Sequence, residues 1–239
     1  MRFMVMHKVD RSMEAGEPPS KTIIENMGKL IGRSLKAGIF KDGAGLHRSA
    51  ARARVTFDAS KPNVVRGPYA GENELVASFA LISTTGIEKA IELAIELGEA
   101  AGRREVEVGP VVEGWDLNGS PRPPNTPHRF LLLVKGDAAF EAGAAQPAAV
   151  RALLDRWKRD GVLQSDASLK PSKGAVRTKV ANGQRQWMDG PFTESKELIA
   201  GFSILEVPAL EDAKRFTEEY VAVLGDNEVD IREVDQTPV

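Results

Sequence analysis

Three features of the sequence predict an α+β protein built from two tandem units with antiparallel sheets. The chain repeats itself at long range. Within each repeat, strands and helices alternate around a hairpin. Several strands carry apolar residues on both of their faces.

The repeat is read from residue pairs. Placing Gly38 on Gly161, a shift of 123, also places Leu46 on Leu169, Arg54 on Arg177, Gly67 on Gly190, Pro68 on Pro191 and Tyr69 on Phe192. The register continues without a gap through Glu74/Glu197, Phe79/Phe202 and Glu88/Glu211 to Glu105/Glu228. Upstream, Arg2-Phe3 matches Arg129-Phe130 at a shift of 127, so the second unit is four residues longer in its first loop and helix. Units at 1–112 and 129–239 follow, joined by 113–128, where Pro121, Pro123, Pro124 and Pro127 argue for a semi-extended linker without a helix.

Each unit begins with a strand, Phe3 to Lys8 or Phe130 to Val134. Pro18-Pro19-Ser20 then opens a helix with Ser20 as N-cap, and Ile23, Ile24, Met27, Leu30, Ile31 and Leu35 recur on one face. Pro147 suits the first turn of its counterpart, whose apolar face is Val150, Leu153, Leu154 and Trp157. Gly38 and Gly161 supply the left-handed stop. A hairpin follows, tightest at Asn182-Gly183. Next come a Gly-Pro-aromatic turn and the apolar strands Leu75 to Ile82 and Leu198 to Val207. A second helix, about Ile87 to Ala101 in the first unit, and a closing strand complete a ferredoxin-like order. The strand pairs Phe3/Val5 and Met4/Met6 are both apolar, so the sheet face away from the helices is also buried. Its simplest cover is the other unit's sheet, which makes the chain an intramolecular pseudo-dimer.

Composition excludes several classes. With 32 basic and 34 acidic side chains the net charge is -2, which supplies no field for nucleic acid or an anionic membrane. The absence of cysteine removes disulfides, thiolate nucleophiles and cysteine-based metal sites. His7, His47 and His128 share no metal-like spacing, and neither a cofactor nor a metal is expected. No G-x-S-x-G elbow or Walker loop occurs, and Asp42-Gly43-Ala44-Gly45-Leu46-His47 lacks the third glycine of a dinucleotide site. With no signal peptide or membrane-length apolar run, a cytoplasmic location is expected.

With the repeat and the Asp189-Gly190-Pro191-Phe192 turn in hand, the chain resembles the YCII-related family, specifically its DGPF branch, over roughly 2–112 and 129–234. Further residues carrying the resemblance are Leu35-Lys36-Ala37-Gly38 and Glu105-Val106-Glu107-Val108-Gly109-Pro110-Val111 in the first unit, and Leu198-Ile199-Ala200-Gly201-Phe202 in the second. The resemblance implies a dimeric α+β barrel. It also implies either a small-molecule enzyme of lyase or isomerase type or a regulatory partner such as an accessory of an extracytoplasmic-function sigma factor. The enzymatic branch uses a His–Asp pair with the His near the start of the first helix. Here those starts read Ser20-Lys21-Thr22 and Gln146-Pro147-Ala148, without histidine, so that pair does not transfer.

Asp189 is the leading candidate for chemistry. At a strand end facing an intersheet cavity it would act as a general base; alternatively it accepts backbone N–H bonds within its turn. Glu197, repeat-matched by Glu74, is the second catalytic candidate, against a reading as solvated surface charge shared with Glu194. Arg177, Arg54 and Arg66 are candidate contacts for an anionic ligand, with Trp187 and Tyr69 as cavity walls. Arg66 stands where Asp189 stands, so two clefts would differ chemically. The expected function is a cofactor-independent protein binding a small anionic molecule; the alternative is a non-catalytic regulatory module.

Overall fold

The computed structural model describes residues 1–58, 61–72, 75–192, 196 and 198–235. Strand β1 (Arg2–Lys8) leads through the short helix α1 (Arg11–Ala15) to α2 (Lys21–Lys36). Asp10 caps α1 by accepting from Met13 N, and Ser20 caps α2 by accepting from Ile23 N. Strands β2 (Phe40–Leu46), β3 (Ala53–Phe57), β4 (Pro62–Arg66) and β5 (Val76–Thr84) precede α3 (Ile87–Ala100) and β6 (Val106–Val112). The connection holds α4 (Gly114–Asn118). The second half runs β7 (His128–Lys135), α5 (Ala138–Glu141), α6 (Ala148–Arg159), β8 (Leu163–Ser168), β9 (Val176–Ala181), β10 (Gln184–Asp189), β11 (Ile199–Glu206), α7 (Leu210–Leu224) and β12 (Glu228–Glu233).

The helices end as the sequence predicts. Gly38 and Gly161 both have φ 71°, a left-handed conformation that costs glycine nothing. Asn182 and Gly183 take φ 51° and 72° at the tip of the β9–β10 hairpin. The linker departs from expectation. A short helix forms at Gly114–Asn118, ahead of the prolines, closed at its start by a capping box in which Asp116 accepts from Glu113 N at 2.8 Å. The strands β2 and β8 are a further departure, because Asp42-Gly43-Ala44-Gly45 and Gln164-Ser165-Asp166 have weak strand propensity. Pairing with the strongly apolar β11 and β5 overrides that weakness.

Two antiparallel layers result, and they pack face to face as expected. One layer runs β10-β9-β12-β1-β11-β2 and the other β4-β3-β6-β7-β5-β8. They are joined where Gly45 and Leu46 of β2 pair with Val112 and Val111 of β6, and they touch again at a bridge between Leu169 and Val234. Between them lies a core that includes Met4, Met6, Phe79, Leu131, Leu133, Ile199 and Phe202. The Phe79 and Phe202 rings meet at 5.2 Å, one from each layer. Each such buried side chain contributes roughly 1.5–3 kcal/mol. The opposite faces are covered by helices. Phe3, Val5 and Ile231 pack with Phe216 and Tyr220 of α7, while Ile82, Leu132 and Val134 pack with α3 and Trp157 of α6.

Neither layer coincides with one half of the sequence. β1 lies between β11 and β12, with Met6 opposite Phe202 and Val5 opposite Ile231. Reciprocally, β7 lies between β5 and β6. Each layer therefore takes its first two ferredoxin-like strands from one half and its last two from the other. Side-chain alternation fixes which face of a strand is buried, but not which half supplies its neighbours.

Candidate functional site

The two Gly-Pro-aromatic turns are built on the same contacts. Gly190 N donates to Ala175 O at 2.9 Å and Gly67 N to Arg52 O at 3.0 Å, and both Gly-Pro bonds are cis. A Cβ on Gly190 would stand 1.9 Å from Ser172 O, and one on Gly67 1.8 Å from Ser49 O, so only glycine fits. Both serines are fully buried. Ser172 Oγ accepts from Phe192 N at 2.9 Å, and Ser49 Oγ from Tyr69 N at 3.4 Å. A carboxylate anchors each serine. Glu141 Oε2 accepts from Ser172 N and Oγ at 2.8 and 2.6 Å, whereas Glu14 takes Ser49 N on Oε2 and Ser49 Oγ on Oε1.

The aromatic residue of each turn stacks on an arginine. The Arg177 guanidinium lies 4.3 Å over the Phe192 ring, and that of Arg54 4.4 Å over Tyr69. Arg177 donates to Asp230 at 2.6 and 3.1 Å and approaches Glu228 at 3.3 Å; Arg54 meets Glu105 at 3.1 Å. Behind them a lysine from the other half completes each buried cluster. Lys8 meets Asp230 at 2.9 Å, and Lys135 meets Glu107 at 3.4 Å. Burial alone would raise the Asp230 carboxyl, but Lys8 and Arg177 outweigh it and hold the group below the usual carboxylate range. Glu107 is held low in the same way, against burial, by Lys135, Arg52 and Arg54.

These contacts relocate the residues singled out from sequence. The forks of Arg177 and Arg54 are occupied within the protein. Arg66 is exposed and chelates Glu88 at 2.6 and 2.7 Å. Asp189 does not face the space between the layers as expected. It is exposed at the end of β10, in a hollow of about 400 Å³ shared with Trp187, Lys214, Arg215 and Glu218. The edge strand β10 is held by β9 on one side, which leaves its end at the surface. Tyr69 belongs to the Arg54 stack, and Glu197, Glu74 and Glu194 lie outside the described residues.

The large concavity is elsewhere. A cleft of about 1310 Å³ opens along β8, between the two layers and the segment leading into α6. Phe79, Ala167, Leu169, Ile204 and Val234 give it an apolar floor continuous with the intersheet core. Gln146, just before α6, crosses it: Nε2 donates to Ser78 Oγ at 3.3 Å, and Oε1 accepts from Ser168 Oγ at 2.5 Å. Ser165 Oγ donates to Asp42 at 2.6 Å, and Arg151 reaches Asp166 at 3.2 Å. None of the sequence-derived candidates among the described residues lines this cleft. The one signal that pointed toward it was the start of the first helix of the second half, where Gln146 stands.

The histidines are dispersed. His7 is buried with Nδ1 2.9 Å from the Tyr220 hydroxyl, and desolvation lowers its pKa to about 4. His47 meets Asp116 at 3.3 Å. Among the described residues no group of three or more His, Asp or Glu side chains is arranged to hold a metal ion. Nor is any helix among them long and apolar enough to cross a membrane.

The cleft, the Gln146 bridge and the second turn all belong wholly or partly to one stretch of chain. Residues 129–234 match the model of the YCII-related domain. The second half of the chain is thus similar to the YCII-related domain. An uncharacterized protein of Rhizobium meliloti (strain 1021) is 31% identical over 68 residues, which is 28% of this chain. The match covers 55% of that protein, so the chain spans about half the length of this relative. No solved structure matches the chain.

Proposed function

We propose that this protein binds a small molecule with an apolar body and a polar head in the cleft along β8. The carrying observation is that cleft: an apolar floor beneath a rim of hydrogen-bonding groups, the usual composition of a ligand site. Binding is favoured over acid–base catalysis because the residue at the helix start is Gln146. A carboxamide orients a ligand but does not shuttle a proton at neutral pH. Asp189, outside the cleft, has no part in this reading.

The test is a ligand-observed NMR screen of aromatic acids, lactones and alcohols on the wild type, Ala167→Trp and Asp189→Asn. Binders lost in Ala167→Trp, whose indole fills the floor, and kept in Asp189→Asn support the cleft. The reverse pattern moves the site to the second turn.

The first half we read as a degenerate copy of the second, within the DGPF branch of the family, with the units at 1–112 and 129–239 and a cytoplasmic setting. Supporting the duplication, the caps Asp10 and Asp137 and the serine anchors Glu14 and Glu141 recur at a shift of 127, while Ser49 and Ser172 recur at 123. A second functional reading, a regulatory protein partner, draws support from exposed Val64 and Val65 on β4 and Met188 on β10, the outer strand of each hairpin. Capture of a partner that is abolished by Val65→Lys or Met188→Lys, with the cleft ligand unaffected, would favour it.

A further inference from the structure

Resting on the cleft as the binding site, we infer that its ligand carries a carboxylate, received by Arg2 at the start of β1. Three arginines line that cleft, and two of them are fully engaged within the protein. Arg104 chelates Asp137 through Nε and Nη2 at 3.2 and 2.9 Å, and Arg151 gives Nε, Nη1 and Nη2 to Asp155 and Asp166. Arg2 gives only Nε, to Glu206 at 3.0 Å, and its two terminal nitrogens have no partner among the described residues. Lys41 stands 3.8 Å from the same Glu206 oxygen, so two cations share one carboxylate at this end of the cleft.

The position of Arg2 joins that open fork to the apolar floor. Arg2 stands two residues before Met4 on β1, opposite Glu206, which stands two after Ile204 on β11. Side chains two apart on a strand share a face, so Arg2 lies on the intersheet face with Met4 and Ile204, about 7 Å along the strands from them. A ligand whose head rests on Arg2 therefore lays its body over Ile204 and Val234, both of which line the cleft.

The other layer shows such a fork filled. Arg129 stands on β7 opposite Ser83, the positions that match Arg2 and Glu206 at shifts of 127 and 123. Its Nε and Nη2 donate to Glu113 at 2.6 and 2.8 Å, the two-pronged grip that a guanidinium gives a planar carboxylate. Glu113 arrives straight from β6, whose Val111 and Val112 pair with β2 as Val234 bridges to Leu169 at the cleft floor. The chain thus supplies its own carboxylate to Arg129, and no described residue takes that place on Arg2. Glu206 does not fill it, because it meets Nε alone, with one oxygen. A hydroxyl could accept from the fork but carries no charge to match it, and an ammonium would meet Arg2 and Lys41 as like charges.

The experiment is an NMR titration of the full chain with four probes that share a phenylpropyl body: 3-phenylpropanoate, 3-phenylpropan-1-ol, 3-phenylpropylamine and propylbenzene. The carboxylate is expected to bind about tenfold tighter than the alcohol, as a charge-assisted pair of hydrogen bonds allows. In Arg2→Gln that preference should vanish while the alcohol binds as before. In Glu206→Gln, which removes the competing charge, the carboxylate should bind about threefold tighter still. Equal binding of all four, tightest binding of the alcohol or the amine, or a carboxylate preference that survives Arg2→Gln overturns the head-group inference. So does a carboxylate affinity that Glu206→Gln leaves unchanged or weakens. In each of these cases the cleft reading stands so long as probe binding is lost in Ala167→Trp. Binding of no probe overturns the inference and the cleft reading together.

Discussion

Lys8 is the residue through which the exchange of strands can be measured. It lies in the first half, and its buried partner Asp230 lies in the second, with side-chain exposures of 2% and 5%. Had each half formed its own sheet, Lys8 would face Glu107, which matches Asp230 in the repeat. Breaking a buried ion pair by removing one partner costs about 3–5 kcal/mol. Arg177 remains on Asp230 at 2.6 Å, so Lys8→Met should sit at the lower end, about 3 kcal/mol. A double-mutant cycle in urea with Asp230→Leu should return a coupling of about 2 kcal/mol. The cycle of Lys8→Met with Glu107→Leu should return less than about 0.5 kcal/mol. Coupling to Glu107 and none to Asp230 would refute the exchanged topology.

Two further outcomes concern the turns and the core. Gly190→Ala should destabilise by about 3 kcal/mol, because its Cβ meets a carbonyl oxygen on the buried Ser172 segment and no flexible side chain can yield. Gly174→Ala, with nothing within 4 Å, should leave the unfolding midpoint within about 0.5 kcal/mol, and a similar loss in both would refute the steric argument. His7 should make stability pH-dependent. Its folded pKa of about 4 lies below the unfolded value of 6.5, so the unfolded chain binds the extra proton and stability falls as pH drops through that window. The loss amounts to about 3 kcal/mol, complete near pH 4, and His7→Gln should flatten this part of the urea-midpoint profile.

What the sequence made legible was periodic or positional. Alternating apolar pairs in β1 and β5 predicted two buried sheet faces, and spacing in 21–36 predicted the inner face of α2 except at Leu35, which is exposed in the last turn, because burial writes itself into side-chain type. Ser20, Gly38, Gly161 and Asn182-Gly183 were readable because their backbone roles admit few residues. Partnership was not readable. Lys8 and Lys135 look like ordinary strand-end charges until β12 and β6 deliver Asp230 and Glu107 beside them. Asp189 seemed to face inward because its turn is distinctive, yet the distinctive parts of that turn, Gly190 and Phe192, serve Ser172 and Arg177. The cleft is lined by Gln146, Ser165, Ser168 and Ala167, residue types too common to stand out. Their weak-propensity strand was itself missed. Glu14/Glu141 and Ser49/Ser172 do recur at the repeat shifts, and a search for repeated polar residues would have found them.

The placement of β1 between β11 and β12 has a consequence for the protein's birth on the ribosome. Lys8 and Asn227 hydrogen-bond backbone to side chain across 219 residues, among the longest spans in the molecule. At about 5–20 residues per second, roughly 10–40 s separate the synthesis of β1 from that of β11. Throughout that interval a strand with Met4 and Met6 on one face and Phe3 and Val5 on the other has no sheet to join. Nor can β5 and β6 pair across β7 until the linker has been made. The nascent first half thus emerges as an incomplete template, with hydrophobic edges exposed to chaperones and to neighbouring chains. Cooperative closure awaits β11 and β12, so productive folding cannot precede the synthesis of those two strands.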